Sequence, residues 1–343
     1  MPASPIRAVL VEDPSDPTSD LARILQRDGD IRVTGQPSTG AAAIALVAKD
    51  RPDVVILDLQ LSDGSGQHVI EQIMARTPTP ILVLSSRIAD RNSPTAVKAV
   101  VAGALDALPT PARWTKELEI ELRRSVRRIR QVSTIRHPRG VLPRTALCRP
   151  ASPRGRQSVV ALAASTGGPS VLATILSGLG GLRAPVLVVQ HIHADFISGL
   201  LDWMNRVSAL PVEIAGHDQV ARPGRVYLAP AGCHLRLGTG GRLELGAAPD
   251  TLHRPSADEL LRSVATQARS AGVGVVLTGM GEDGAQGLLE LYQQGGQTFA
   301  QDQASCAVFG MPRAAQRLGA VTRLLAPEQL AAAICKAVAE VRT

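Results

Sequence analysis

In the stretch VVALAASTGGPS, residues 159–170, a run of apolar and small residues leads into Ser165. Thr166, Gly167 and Gly168 then remove bulk, and Pro169 suits the first turn of a helix. A strand is therefore expected to end at the serine. Such a corner has two chemical uses: its amides can cradle a phosphate, or its hydroxyl can be a nucleophile with the same amides stabilising an oxyanion. Two further apolar runs favour the nucleophile. APVLVVQHIHADF places His191 directly after one, and VGVVLTGMGEDG places Asp283 in a glycine-rich corner after the other. A nucleophilic serine needs a base for its proton, and the imidazole needs a carboxylate to fix its tautomer and stabilise the imidazolium. All three residues stand at the carboxyl ends of predicted strands, where sites gather in open α/β sheets. Taken singly, each has a plain structural reading, a tight turn with a helix cap for STGG and a solvated side chain for a histidine. Their joint placement carries the catalytic one.

The chain order Ser, His, Asp and the corner A-S-T-G-G both differ from the α/β-hydrolase pattern, which is rejected. A rival base, His193, lies two residues beyond His191, and His191 is favoured because it stands nearest the strand end. A nucleotide-binding module built on STGG is disfavoured, since neither the P-loop lysine nor G-x-G-x-x-G spacing is present.

A second group of polar residues lies in the first third of the chain: Glu12 and Asp13 after AVLV, Asp58 after DVVIL, and Ser85 after PILVL. In a parallel sheet these strand ends share one rim, so Glu12, Asp13 and Asp58 together suit a hard divalent cation such as Mg2+. A carboxylate beside such a metal can take a phosphoryl group, and a hydroxyl on the next strand can hydrogen-bond the product. Any one of these acids alone reads as a cap or loop residue.

The elements that must position both groups follow from the apolar patterning. At 343 residues, with 45% hydrophobic and 2% aromatic content, the chain suits two α/β domains whose cores are built from Val, Leu, Ile and Ala. Residues 1 to about 112 alternate strand-like runs with helical patterns, a last helix follows from Trp114, and the alternation resumes after 158. Within the second part, PGRVYLAPAGCHLRLGTGGRLEL reads as short antiparallel strands joined by glycine turns. Residues 136–157 mix Pro, Gly, Ser and Arg without periodicity, the composition of a linker. The net charge of +7 is local: Arg113 to Arg156 holds 13 Lys and Arg against 3 Glu, leaving the remainder at −3. With no aromatic interleaving, nucleic acid is not an expected partner; the basic strip is a solvated tether or a dock for an acidic partner. The four cysteines lie far apart without Cys-x-x-Cys spacing, so neither a disulfide framework nor a zinc site is expected. No signal-like segment and no uncharged apolar run of about 18 residues is present, which leads to the expectation of a reducing, cytoplasmic location without membrane insertion.

The residues of the first part resemble the receiver domain of two-component response regulators over about residues 5–130: the acidic pair Glu12 and Asp13, Asp58 in DLQLSDGSG, Ser85, and GALDALPTP. The resemblance implies a flavodoxin-like fold with a five-stranded parallel sheet, Asp58 as phosphorylation site, Mg2+ on Glu12, Asp13 and Asp58, Ser85 as phospho-sensing residue, and a histidine kinase as phosphodonor. One position departs. The receiver pattern carries a lysine before the last proline of the fifth-strand motif, and Thr110 stands there. A neutral hydroxyl lacks the charge-assisted bond that would report a phosphoryl group.

AASTGGPS, VVQHIHADF, PGRVYLAPAGCHL, HRPSADELLRSVA, VLTGMGEDGAQG and TFAQDQASCAVFGMP, in this order, resemble the catalytic domain of the chemotaxis protein-glutamate methylesterases over about residues 158–320. That family also carries an amino-terminal receiver, and the division expected is 1–131 receiver, 132–157 linker and 158–343 catalytic domain. The resemblance implies a Rossmann-like doubly wound α/β catalytic domain with a short antiparallel insertion. It implies Ser165 as nucleophile, His191 as base and Asp283 as orienting carboxylate, with Thr166 and Met280 at the oxyanion hole. His193 departs from the proline common there. The implied substrates are glutamate γ-methyl esters and glutamines of methyl-accepting chemoreceptors, no cofactor is implied for hydrolysis, and the receiver is implied to act as a phosphorylation-controlled lid. The competing reading is a non-catalytic signalling adaptor of the response-regulator class.

Overall fold

The computed structural model describes residues 5–12, 20–90, 93–130, 158–249 and 251–340. They form two compact units. The expected linker, 132–157, lies outside the described residues.

In the first unit the main sheet has five strands among the described residues, β1 (Ile6–Val11), β2 (Ile31–Gly35), β3 (Val54–Leu57), β4 (Ile81–Ser85) and β5 (Asp106–Pro109), paired in parallel in the order β2-β1-β3-β4-β5, while the two-residue segments Gln60–Leu61 and Gly64–Ser65 pair antiparallel with each other. They alternate with α1 (Leu21–Gln26), α2 (Gly40–Asp50), α3 (Gly66–Arg76), α4 (Pro94–Ala102) and α5 (Lys116–Arg130). The middle strands β3 and β4 are buried throughout, which is why they read as unbroken apolar runs. On one face, Ala8, Leu10, Ile56 and Leu84 pack with Ile24 and Leu25 of α1 and with Leu122, Val126 and Ile129 of α5. Helix α4 starts where the Ser93 hydroxyl accepts the Ala96 amide and ends at Gly103, whose φ of 119° favours glycine.

Much of the positive charge on α5 is matched within this unit. Arg123 contacts Asp28 at 2.9 Å, Arg127 contacts Asp28 and Asp30 at 2.6 and 2.7 Å, and Arg128 contacts Asp106 at 2.9 Å. Arg27 also meets Glu119 of α5. Arg123, Arg127 and Arg128 of the basic segment are thus engaged in internal ion pairs.

The second unit contains β6 (Val159–Ala164), α6 (Gly168–Ser177), β7 (Val186–Gln190), α7 (Ile197–Val207), β8 (Val212–Ile214), β9 (Val226–Leu228), β10 (His234–Leu237), β11 (Leu243–Gly246), α8 (Ala257–Gln267), β12 (Gly272–Val276), α9 (Ala285–Gln293), β13 (Gln297–Gln301), α10 (Met311–Arg317), β14 (Arg323–Leu325) and α11 (Pro327–Glu340). Seven of these strands form one parallel sheet in the order β8-β9-β7-β6-β12-β13-β14. Strand β6 shows why both faces must be covered: Val160, Leu162 and Ala164 join one core, and Val159, Ala161 and Ala163 the other. Alternate residues point to opposite faces, and each face has its own helices.

The fold class stands as expected, with three local corrections. Of the predicted antiparallel insertion, β10 and β11 form the antiparallel pair, whereas Val226–Leu228, read as part of it, is a fully buried parallel strand between β7 and β8. The strands β8, β13 and β14 were not legible, being short or, as in QTFAQ, polar at both ends. Cys233 and Cys306 are free thiols, whereas Cys335 is in a disulfide; wide sequence spacing does not report which thiols folding brings together. Among the described residues no helix is long and apolar enough to cross a membrane.

Candidate active site

Ser165 follows β6 directly, and His191 follows β7. These strands are neighbours with Ala164 opposite Gln190, and the His191 amide donates to the Ala164 carbonyl at 2.8 Å. On the other side, beyond β12, the Thr278 carbonyl accepts the Ser165 amide at 3.0 Å. Ser165 thus sits between the ends of three adjacent strands. The backbone beside it must be bare: a Cβ on Gly279 would lie 2.6 Å from the Ser165 Cβ. Gly167 takes φ of 76°, turning the chain into α6 in the left-handed region.

Asp283 lies in the corner after β12, and its Oδ2 is 2.9 Å from His191 Nε2. Its carboxylate also receives the Ser256 hydroxyl at 2.8 Å and the Ala257 and Asp258 amides at 2.7 and 3.0 Å. Those donors are the amino end of α8, whose unpaired amides and dipole favour an anion. Burial alone pushes the carboxyl up, but the His191 contact and the two amides outweigh it and hold its pKa down at about 2. Asp283 is therefore ionised where enzymes work. Neither His191 nitrogen has a hydrogen bond of good geometry among the described residues, so the contact with Asp283 is close but not straight, and Nδ1 is buried without a partner. His193 is elsewhere: it is half-exposed, accepts the Asp195 amide and pairs with Asp195 at 3.2 Å, capping a short turn.

Three residues absent from the sequence reading complete the site. Gln190, 2% exposed, donates its side-chain amide to the Ser165 carbonyl at 2.8 Å and to the His191 carbonyl at 3.0 Å. One side chain thereby ties the backbones of both residues together. Ser256 opens SADE, a capping-box signal that marks the start of α8 but says nothing of Asp283. His253 stacks on His191, with ring centroids 4.5 Å apart and planes inclined by 16°. Of the residues implied at the oxyanion hole, Met280 is exposed, and the Thr166 carbonyl is held by the Thr278 hydroxyl at 2.9 Å.

In the first unit, Val11 is opposite Leu57 in register, which places Glu12 and Asp58 side by side after β1 and β3. Asp58 Oδ1 accepts the Ser85 hydroxyl at 2.7 Å and the Gln60 amide at 2.9 Å. Asp13 lies outside the described residues. Thr110 follows β5, its amide on the Ser85 carbonyl at 3.1 Å.

Fold and side chains together define the class: an α/β unit with a hydrolase-type group of serine, histidine and aspartate, preceded by a receiver unit. The chain belongs to the CheB methylesterase family, whose model matches residues 160–334, and the response regulator receiver domain model matches residues 8–119. It is 41% identical over 335 residues, 96% of each chain, to protein-glutamate methylesterase/protein-glutamine glutaminase 2 of Anaeromyxobacter dehalogenans. It is 40% identical to the protein-glutamate methylesterase FrzG of Myxococcus xanthus, across 90% of this chain and 92% of that one. Among solved structures it resembles the catalytic domain of Thermotoga maritima CheB methylesterase, with a TM-score of 0.50 and 32% identity over 52% of this chain and 98% of that chain.

Proposed function

We propose that this chain hydrolyses glutamate γ-methyl esters of methyl-accepting chemoreceptors to glutamate and methanol, and deamidates receptor glutamines by the same chemistry. The observation that carries the reading is that Ser165 and His191 directly follow neighbouring strands while His191 Nε2 lies 2.9 Å from the ionised carboxylate of Asp283. With Nε2 turned to Asp283, Nδ1 is the nitrogen left to take the Ser165 proton. Ser165 Oγ bonds to the ester carbonyl carbon as His191 takes that proton, and the oxyanion rests on backbone amides with Thr166 and Met280 at the hole. The C–OCH3 bond then breaks, and His191 returns the proton to departing methanol. Water attacks the acyl-enzyme by the same route and frees glutamate. With glutamine, ammonia leaves instead. Hydrolysis uses no cofactor in this scheme.

The first unit is the regulatory one. Asp58 takes a phosphoryl group from a histidine kinase, and the Ser85 hydroxyl, already donating to Asp58, bonds the product. Glu12 and Asp58, which follow adjacent strands, and Asp13 next to Glu12 in the sequence suit Mg2+ in donor chemistry. When bound, the ion spreads the charge on the transferring oxygens. Thr110 supplies no cation, so phosphorylation alters the esterase weakly. The boundaries 1–131, 132–157 and 158–343 belong to the same proposal.

The test is methanol release from methylated receptor membranes by the intact protein and by Ser165→Ala. Release lost in the variant is the expected result. No release by the intact protein, or equal release by the variant, would favour the adaptor reading.

A further inference from the structure

We propose that His253 is a positioning residue for ester hydrolysis: its ring lies flat on His191 and fixes the plane of the base, so that one nitrogen stays on Asp283 while the other faces Ser165.

The need for such a group follows from the geometry. The second torsion of a histidine side chain is broad and sets no ring plane by itself. Asp283 anchors only Nε2, by a contact that is not straight, and Nδ1 has no partner among the described residues. What remains to hold the ring is contact on its face. His253 supplies it, with centroids 4.5 Å apart and planes only 16° from parallel, and the His191 side chain is left 11% exposed. Aromatic rings in this arrangement attract one another beyond their area burial.

The placement of His253 is itself determined by the site. The His253 carbonyl accepts the Thr251 hydroxyl at 2.6 Å, and three residues later Ser256 bonds Asp283 and caps α8. One short segment thus covers the base and holds the carboxylate. The ionisable groups acting on His253 are His191 and Asp283: burial first, and then the charge of His191, lower its proton affinity, while Asp283 raises it. The net effect is a lowering, which disfavours a second cation beside the His191 ring.

The role rests on the esterase reading, and the experiment separates the two. Methanol release would be measured on the intact protein as wild type, His253→Ala and His253→Phe, with kcat and KM across pH and a melting curve for each. Phe keeps a flat ring without a titrating nitrogen. Expected is a loss of about tenfold or more in kcat for Ala at nearly unchanged KM. For Phe, kcat should stay within about threefold of wild type and the pH profile should keep its shape. If Ala does not fold, His253→Gln, which keeps bulk and polarity without an aromatic face, takes its place. An active wild type with an unaffected Ala variant would overturn the role of His253 alone. So would a Phe variant as impaired as Ala, or a rise in KM with kcat unchanged. An inactive wild type would end the esterase reading itself.

Discussion

The Ser256 hydroxyl donates to Asp283 Oδ1 at 2.8 Å, so the residue that caps α8 also holds the carboxylate facing His191. A helix terminus and the carboxylate beside His191 share one set of hydrogen bonds. Asp283→Asn keeps the shape but replaces an acceptor-only carboxylate with an amide that can present the wrong group to His191. We expect methanol release to fall roughly 10³- to 10⁴-fold with the circular dichroism spectrum retained. Ser256→Ala should cost about 1 kcal/mol of stability through the lost cap, read by denaturant unfolding, with a smaller loss of rate.

Acid should weaken the second unit through the same residue. The Asp283 carboxyl is depressed from 3.8 to about 2, so its contribution is fully present above the unfolded value and is lost as pH falls through the folded one. The window is therefore about pH 4 down to about pH 2, and the amount at stake is about 2 kcal/mol. Urea unfolding at stepped pH should show this decline in wild type and a flatter one in Asp283→Asn. Equal slopes would contradict the assignment.

Gln190 ties Ser165 to His191, and Gly168 makes room for it. Gln190→Met keeps the length but removes the amide that bonds both carbonyls: His191 loses that partner and Ser165 keeps only the Gly168 amide at 2.9 Å, a cost of about 1–3 kcal/mol, with misalignment lowering kcat more than KM. A Cβ on Gly168 would lie 2.2 Å from Gln190 Oε1 and 2.7 Å from the Ala164 Cβ. Gly168→Ala should therefore destabilise by about 1–3 kcal/mol and slow the reaction with it. Calorimetry and methanol release on both variants check this; a Gly168→Ala protein with wild-type melting and rate would refute it.

The receiver predictions concern Asp58 and Thr110. A small-molecule phosphodonor with Mg2+ should label wild type and leave Asp58→Ala unlabelled. Methanol release should change little on labelling, because the hydroxyl at 110 brings no positive charge to the phosphoryl group. Thr110→Lys should enlarge the response. A strong rise in wild type that Asp58→Ala abolishes would overturn the weak-switch reading.

The sequence alone determined the alternation of strand and helix, the two-part organisation and the strand ends bearing Ser165, His191, Asp283, Asp58 and Ser85. These are local properties: a buried parallel strand must be continuously apolar, and the polar residue that ends it is visible beside it. Tertiary structure decided the rest. That Val226–Leu228 joins the main sheet depends on its neighbours β7 and β8, not on its own three residues. That His193 caps a turn while His191 meets Asp283 depends on where the chain goes after β7. Gln190, His253 and Ser256 act on partners 25 to 62 residues distant or across separate elements, as in Gln190 with Ser165 and His253 with His191. Hydrogen bonds and ring contacts of that kind leave no periodicity in the chain, because their geometry exists only once separate strand ends and a helix terminus have been packed together.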